Sequence, residues 1–391
     1  MRTKGEDINM ATKKRSSSRE DEIRKPVKKG TSARAKAKKK KKRIILFVVE
    51  IFILLIMLVV LYGVLKTEKI GKITIDEDKI VINDQVAEST TMKGYRNIAL
   101  FGVDARNGAL GKGTRTDTII IASINEDTHD VKLVSVYRDT YLNLGNDSYN
   151  KCNSAYAKGG PEQAINMLNM NLDMNITDYV TVGFAGLVDT IDELGGVEID
   201  VDEAEIDHLN NYQICIAEDL GTSYKPVKST GLQTLDGMQA TAYCRIRYTK
   251  GNDFKRAERQ REVLMAVAEK AKKASPSTLN SIANKVFPQV STSLGLEEIV
   301  SLLGGVTEYS IVDNTGFPFE SNRTTGNIGK KGSCVVPISL AENVELLHKF
   351  LFDAQDYVAS DSVKEYSNKV ESDTASYVGK SSGTSEDAQT E

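Results

Sequence analysis

The sequence has no tryptophan and only three histidines, His129, His208 and His348, well separated along the chain. A nucleophile activated by imidazole has little to draw on here, and isolated histidines are better read as surface or core residues. The four cysteines, Cys152, Cys215, Cys244 and Cys334, form no CxxC pair and no Cys/His cluster, which removes the usual thiolate metal sites. They allow three disulfide pairings, and spacing does not choose among them. Internal repeats are absent, and the one long apolar run, "IILFVVEIFILLIMLVVLYGVL", is followed by no small-residue cleavage site.

That run, residues 44–65, would extend about 33 Å as a helix, enough to cross a bilayer core. Before it, residues 1–43 carry 18 Lys/Arg against 5 Asp/Glu. The formal net charge of −3 therefore hides a basic head and an acidic remainder. A lysine run can bind nucleic acid, but "KAKKKKKR" abuts the apolar run, so it reads as a cytoplasmic flank. The expectation is a single-pass signal anchor in the cell membrane, its N-terminus cytoplasmic and the rest extracytoplasmic, with no nucleic-acid partner. Glu50 inside the span could pair with a partner helix or reach toward the headgroups.

Past the anchor, residues 66–94 read as a linker whose "KITIDEDKIVIND" alternates like two short strands. From Tyr95, short apolar runs alternate with helical spacings: "NIALFGV", "TDTIIIASIN" and "VKLVSV" as strands, "GGPEQAINMLNMNL" as a helix with Pro161 in its first turn. "YVTVGFAGLVDTIDELGGVEIDV" reads as strand, helix, glycine stop and strand. "LDGMQATAYCRIRY" reads as a short helix entering a strand, with a long helix from about Phe254 to Ala274. The fold class is α/β, an α-β-α sandwich around a central mixed sheet, preceded by the transmembrane helix. Residues 95–275 would be the catalytic domain and 276–358 its C-terminal helical extension. Residues 359–391, rich in Ser, Thr, Glu and Asp, would be disordered.

Arginine is unevenly placed. Of ten arginines after residue 65, eight are Arg106, Arg115, Arg138 and the group 245–261, while lysine supplies positive charge elsewhere. Guanidinium is a rigid fork that grips phosphate oxygens in pairs. In "CRIRY" a strand period places Arg245 and Arg247 on one face. In the helix after it, Arg256, Arg259 and Gln260 share a face, while Arg261 points away beside Glu258. Surface ion pairs, each worth little, are the plainer reading of any one pair. Asp104 and Asp117 flank a Gly-rich loop. Each alone reads as a turn residue, but antiparallel pairing would bring both to one edge, an arrangement suited to Mg²⁺. Asp253 reads as the helix N-cap, as a carboxylate that takes a proton from an attacking hydroxyl, or as both, the two roles being compatible. Metal plus arginines is the equipment of phosphoryl transfer.

The ordered motifs "NIALFGVDAR", "RTDTIII", "SVYRDTY", "NKCNSAYAKGG", "ELGGVEIDV", "LDGMQATAYCRIRY" and "DFKRAERQREVL" resemble the LytR–CpsA–Psr family over roughly residues 95–270. The resemblance implies transfer of an anionic glycopolymer from an undecaprenyl-pyrophosphate carrier to a peptidoglycan acceptor. It further implies Asp104 and Asp117 as Mg²⁺ ligands, and Arg115, Arg138, Arg245, Arg247, Arg256 and Gln260 on the pyrophosphate. Arg106 and Arg259 are added as substrate-binding candidates from their placement. The resemblance also implies an apolar tunnel for the polyprenyl chain, with "YVTVGFAGLV" as a wall, although a core strand and helix would look the same. Cys152 and Cys244 occupy slots usually apolar in the family, which leaves a disulfide or two buried thiols. A Mg²⁺-dependent pyrophosphohydrolase and a non-catalytic polyanion-binding protein remain as alternatives. A transcriptional role does not fit, because only the short basic tail would face the cytoplasm.

Overall fold

The computed structural model describes residues 77–103, 110–145 and 147–378, all within the compact unit Leu61–Glu391. The expected basic tail, the membrane span and the first part of the linker, residues 66–76, fall outside them, as do Asp104, Arg106 and residues 379–391. Among the described residues no helix is long and apolar enough to cross a membrane.

The central sheet begins with three consecutive antiparallel strands, β1 (Tyr95–Val103), β2 (Thr116–Asn125) and β3 (Asp130–Val136). A small hairpin, β4 (Tyr141–Asn143) and β5 (Tyr149–Lys151), leads into α1 (Asn153–Leu172). β6 (Asp178–Gly183), α2 (Phe184–Glu193), β7 (Val197–Val201), α3 (Glu203–Leu220), β8 (Gly231–Leu235) and α4 (Gly237–Tyr243) follow. Next come α5 (Asn252–Lys272), α6 (Pro276–Val286), β9 (Val290–Thr292) and α7 (Leu296–Gly304). The last elements are β10 (Ser310–Phe317), β11 (Arg323–Asn327), β12 (Ser333–Pro337), α8 (Leu340–Phe352) and α9 (Asp361–Thr374). Six strands form the central sheet in the order β10-β3-β2-β1-β6-β9. It is mixed, because β1 runs parallel to β6 and β3 parallel to β10 while the other neighbours are antiparallel.

The near-continuous apolar runs of β1 to β3 follow from cover on both faces. Ile119 and Ile121 of β2 pack into a core with α1, α8 and α9, whereas Ile120 and Ala122 pack with Leu264 and Met265 of α5. The expected three layers are therefore present. A further core joins the antiparallel β7–β8 pair to α2, α3 and α4. Two boundaries follow local rules. α1 kinks at Gly160 and resumes at Pro161, and α2 stops before Gly195 and Gly196, whose φ values of 77° and 88° suit residues without a Cβ.

Four expectations need correction. The "DKIVIND" part of the linker is no strand: it holds a 3₁₀ turn, Glu77–Lys79, and one helical turn, Asp84–Ala87. "CRIRY" is not a strand either, since Cys244 caps α4 and the chain then runs irregularly to α5. Residues 276–358 are not a helical extension, because β10 completes one edge of the central sheet beside β3. The tail is not disordered throughout: Ser360 caps α9, whose Val363, Ser367, Val370 and Thr374 are buried at three- and four-residue spacing. Polar composition masked that stripe. It is held further by Asp173, which accepts from Ser360 N–H at 2.7 Å and from Asn83 Nδ2 at 2.6 Å, tying three distant segments together.

Candidate functional site

At the end of β1, Gly102 pairs with Thr118 but Val103 pairs with Thr116, so Asp117 is the extra residue of a β-bulge. Bulges re-aim a side chain next to functional sites, and this one directs Asp117 out of the strand alternation. A Cβ at Gly102 would lie 2.9 Å from the Thr118 side chain, so the close approach of the two strands here requires glycine. The β2–β3 register, Ile120 opposite Ser135, carried on past the ladder brings Asp117 opposite Arg138, and the two form an ion pair. Arg138 Nε also lies 3.6 Å from Asp139, which is itself 3.2 Å from Lys151 Nζ.

The second half of the site comes from the segment between α4 and α5. It is not a strand, but Ile246 is buried, and Arg245 and Arg247 line the same cavity as Arg138. In α5, Arg256 and Gln260 are one turn apart and line it too. Asp253 joins these groups. Arg247 donates to both its oxygens at 3.1 and 3.2 Å, and Arg256 lies 3.0 Å away. The helix N-cap is Gly251, so the capping role expected for Asp253 is not taken up. Burial alone would raise the Asp253 carboxyl, but Arg256 and Arg247 outweigh it and hold the group below the usual carboxylate range. Burial, followed by the neighbouring Arg138, pushes Arg256 down to about 10.

The cavity, about 480 Å³, changes character along its length. Asp117, Arg138, Arg245, Arg247, Arg256 and Gln260 form the polar end, and Leu100, Ile120, Val180, Val182, Leu187, Val263, Leu264, Val267 and Val286 line the rest. β6 serves two purposes: Tyr179 and Thr181 are buried on one face, Val180 and Val182 look into the cavity from the other. Around the polar end four guanidinium groups and Lys151 face three carboxylates, Asp117, Asp139 and Asp253, a surplus of two positive charges. Arg138 Nε, Arg245 Nη1 and Arg256 Nε are buried without a hydrogen-bond partner among the described residues. Buried donors of this kind are costly unless an acceptor arrives.

Other candidates lie elsewhere. Arg259, expected to bind substrate, is 1% exposed and spent on structure, donating to Glu205 at 2.8 Å, the Ile246 carbonyl at 3.1 Å and Thr249 at 2.7 Å. It projects to the α3 side of α5, because one residue of helix turns a side chain by about 100° from Gln260. Arg261 is structural as expected, although its hydrogen bond goes to Asn314 at 2.7 Å rather than to Glu258. Arg115 is exposed just before β2 and does not line the cavity. The cysteines are four free thiols; Cys244 lines the cavity, its thiol pushed by burial up to about 12. Among the described residues no group of three or more metal-ligating side chains occurs. Sequence reasoning missed Tyr212 of α3 and Phe184 of α2 as companions of Arg245, since neither stands near an arginine in the chain.

The fold and site together define a cavity with largely apolar walls into which four arginines converge. The chain belongs to the LytR_cpsA_psr family, whose match covers residues 57–332. It is 28% identical over 242 residues to the polyisoprenyl-teichoic acid–peptidoglycan teichoic acid transferase TagT of Bacillus subtilis (strain 168), covering 60% of this chain and 72% of that protein. With TagU of Enterococcus faecalis (strain ATCC 700802 / V583), a protein of the same descriptive name, identity is 32% over 190 residues, covering 48% of this chain and 56% of the relative. Among solved structures, B. subtilis TagV superposes with a TM-score of 0.52 at 27% identity, over 68% of this chain and 99% of TagV. TagT bound to LI-WTA gives 0.54 at 23% identity, over 69% and 94%, a likeness of fold.

Proposed function

We propose that this protein is a phosphotransferase that moves an anionic glycopolymer from an undecaprenyl-pyrophosphate carrier to a hydroxyl of peptidoglycan, outside the cell membrane to which its N-terminal span anchors it. The observation that carries this reading is the cavity itself, with surplus guanidinium charge at one end and apolar walls along the rest. The names of the relatives, as teichoic acid transferases, support the same class of reaction.

In this mechanism the diphosphate lies against Arg138, Arg245, Arg247 and Arg256, and the polyprenyl chain extends past Val182 and Leu187. The acceptor hydroxyl attacks the glycan-side phosphorus. A new P–O bond forms, the bridging P–O bond breaks, polyprenyl phosphate leaves with the bridging oxygen, and the hydroxyl proton passes to that departing phosphate, directly or through water. The arginines stabilise charge that grows on that leaving group. Asp253 holds Arg247 and Arg256 in register; its lowered pKa makes it a better anchor than base. Asp117, a half-exposed carboxylate at the polar end, suits a hard cation that takes few protein ligands and several oxygens from water and phosphate. Together with Asp104 it would hold Mg²⁺, which when bound neutralises phosphate charge.

The test incubates the full chain in detergent with Mg²⁺ and a lipid-pyrophosphate-linked saccharide, with and without a peptidoglycan oligomer. Glycan attachment that depends on acceptor is expected, and Arg247→Ala or Asp117→Ala should lower it by at least about 100-fold, the scale of losing a transition-state charge contact. Equal lipid-phosphate release without acceptor would mean a hydrolase. Full activity in both variants would remove the site.

A further inference from the structure

Arg138, Arg247 and Arg256 each lie against a carboxylate, but among the described residues Arg245 has none. What it has is two aromatic rings: its guanidinium carbon lies 4.8 Å from the centre of the Phe184 ring and 5.6 Å from that of Tyr212. Both rings line the cavity. A carboxylate partner fixes an arginine by occupying its N–H groups and cancelling its charge, so an incoming anion has to share it. Aromatic faces act on the flat side of the guanidinium and leave its edge donors and its charge available. Arg245 Nη1 is buried with no hydrogen-bond partner; Arg138 Nε and Arg256 Nε are too, so what sets Arg245 apart is a charge that no carboxylate offsets.

We propose that Phe184 and Tyr212 are positioning residues that hold Arg245, fully charged and with open donors, as the primary anion receptor of the cavity. Resting on the diphosphate reading above, the proposal assigns to Arg245 first capture of the diphosphate. The other three arginines then exchange part of their carboxylate pairing for phosphate oxygens. Tyr212 acts through its ring, not its hydroxyl.

The experiment measures calorimetric affinity of the full chain in detergent for inorganic pyrophosphate, with thermal unfolding as a check on folding. Tyr212→Leu and Phe184→Leu should each weaken binding by about 3- to 20-fold, the range of a partly desolvated cation–π contact. Tyr212→Phe should restore affinity to within about twofold, since both rings attract a cation. In an Arg245→Ala background the Tyr212→Leu change should have no further effect, because the ring acts through the arginine. Unaltered affinity in the folded leucine variants, or an equal loss in the Arg245→Ala background, would overturn the clamp while leaving the diphosphate reading intact. Failure of the wild-type chain to bind pyrophosphate would overturn both.

Discussion

Arginines of one type take opposite roles here according to what surrounds them. Arg259 sits between Glu205, a backbone carbonyl and Thr249, with Glu205 only 3% exposed. Arg259→Ala would strand that carboxylate in the core and should cost about 3–5 kcal/mol of stability in denaturant titration, the penalty of a broken buried pair. Pyrophosphate affinity, measured where the variant remains folded, should be retained, which separates this residue from Arg245, Arg247 and Arg256. From the sequence, Arg256, Arg259 and Gln260 looked equivalent, since a helix face about 100° wide admits all three. Which edge of that face meets the cavity and which meets α3 is a matter of docking, not of spacing.

At the scale of elements, β6 divides the molecule into core and cavity by its two-residue period. Tyr179 and Thr181 belong to the packed side, and Val180 and Val182 to the open one. Enlarging an open-side residue should shorten the apolar limb without touching the arginines. Val182→Phe is expected to weaken binding of a polyprenyl pyrophosphate by about tenfold, equal to 1.4 kcal/mol, yet leave inorganic pyrophosphate within about twofold. Equal loss for both ligands would place the tail elsewhere. The "YVTVGFAGLV" stretch announced an apolar strand and helix, but the cavity beside it is completed by Val267 of α5 and Val286 of α6, distant in sequence. α9 shows the converse: its composition pointed to disorder, and only its packing position exposes the stripe of Val363 and Val370.

For the whole molecule, the packing of α8 against the end of α1 sets an acid limit. His348 is fully buried, bonded through Nε2 to the Leu172 carbonyl at 3.1 Å and stacked on Tyr357 at 3.6 Å. Burial lowers its pKa from 6.5 to about 4, outweighing the opposing effects of the Leu172 carbonyl and Asp173. The unfolded chain therefore binds the proton more readily than the folded one. This stability is fully present above about pH 6.5 and is lost as pH falls toward 4. Between pH 7 and pH 5 the loss should be about 2 kcal/mol. His348→Gln should be less stable at pH 7 but show a correspondingly flatter dependence in paired denaturant titrations. An unchanged slope would mean that other groups set the acid limit.

The strands with unbroken apolar runs, the helix restarting at Pro161 and the stop at Gly195–Gly196 were determined by the sequence alone. Each depends on a neighbour a few positions away, within reach of period, cap and backbone preference. The tertiary structure decided the bulge that turns Asp117 toward Arg138, the burial of Arg259, the placing of β10 at the sheet edge and the two rings on Arg245. In each of these the deciding partner lies tens of residues or more away, or on the strand alongside. Chain geometry limits which residues can meet, but the free energy of packing chooses among those meetings.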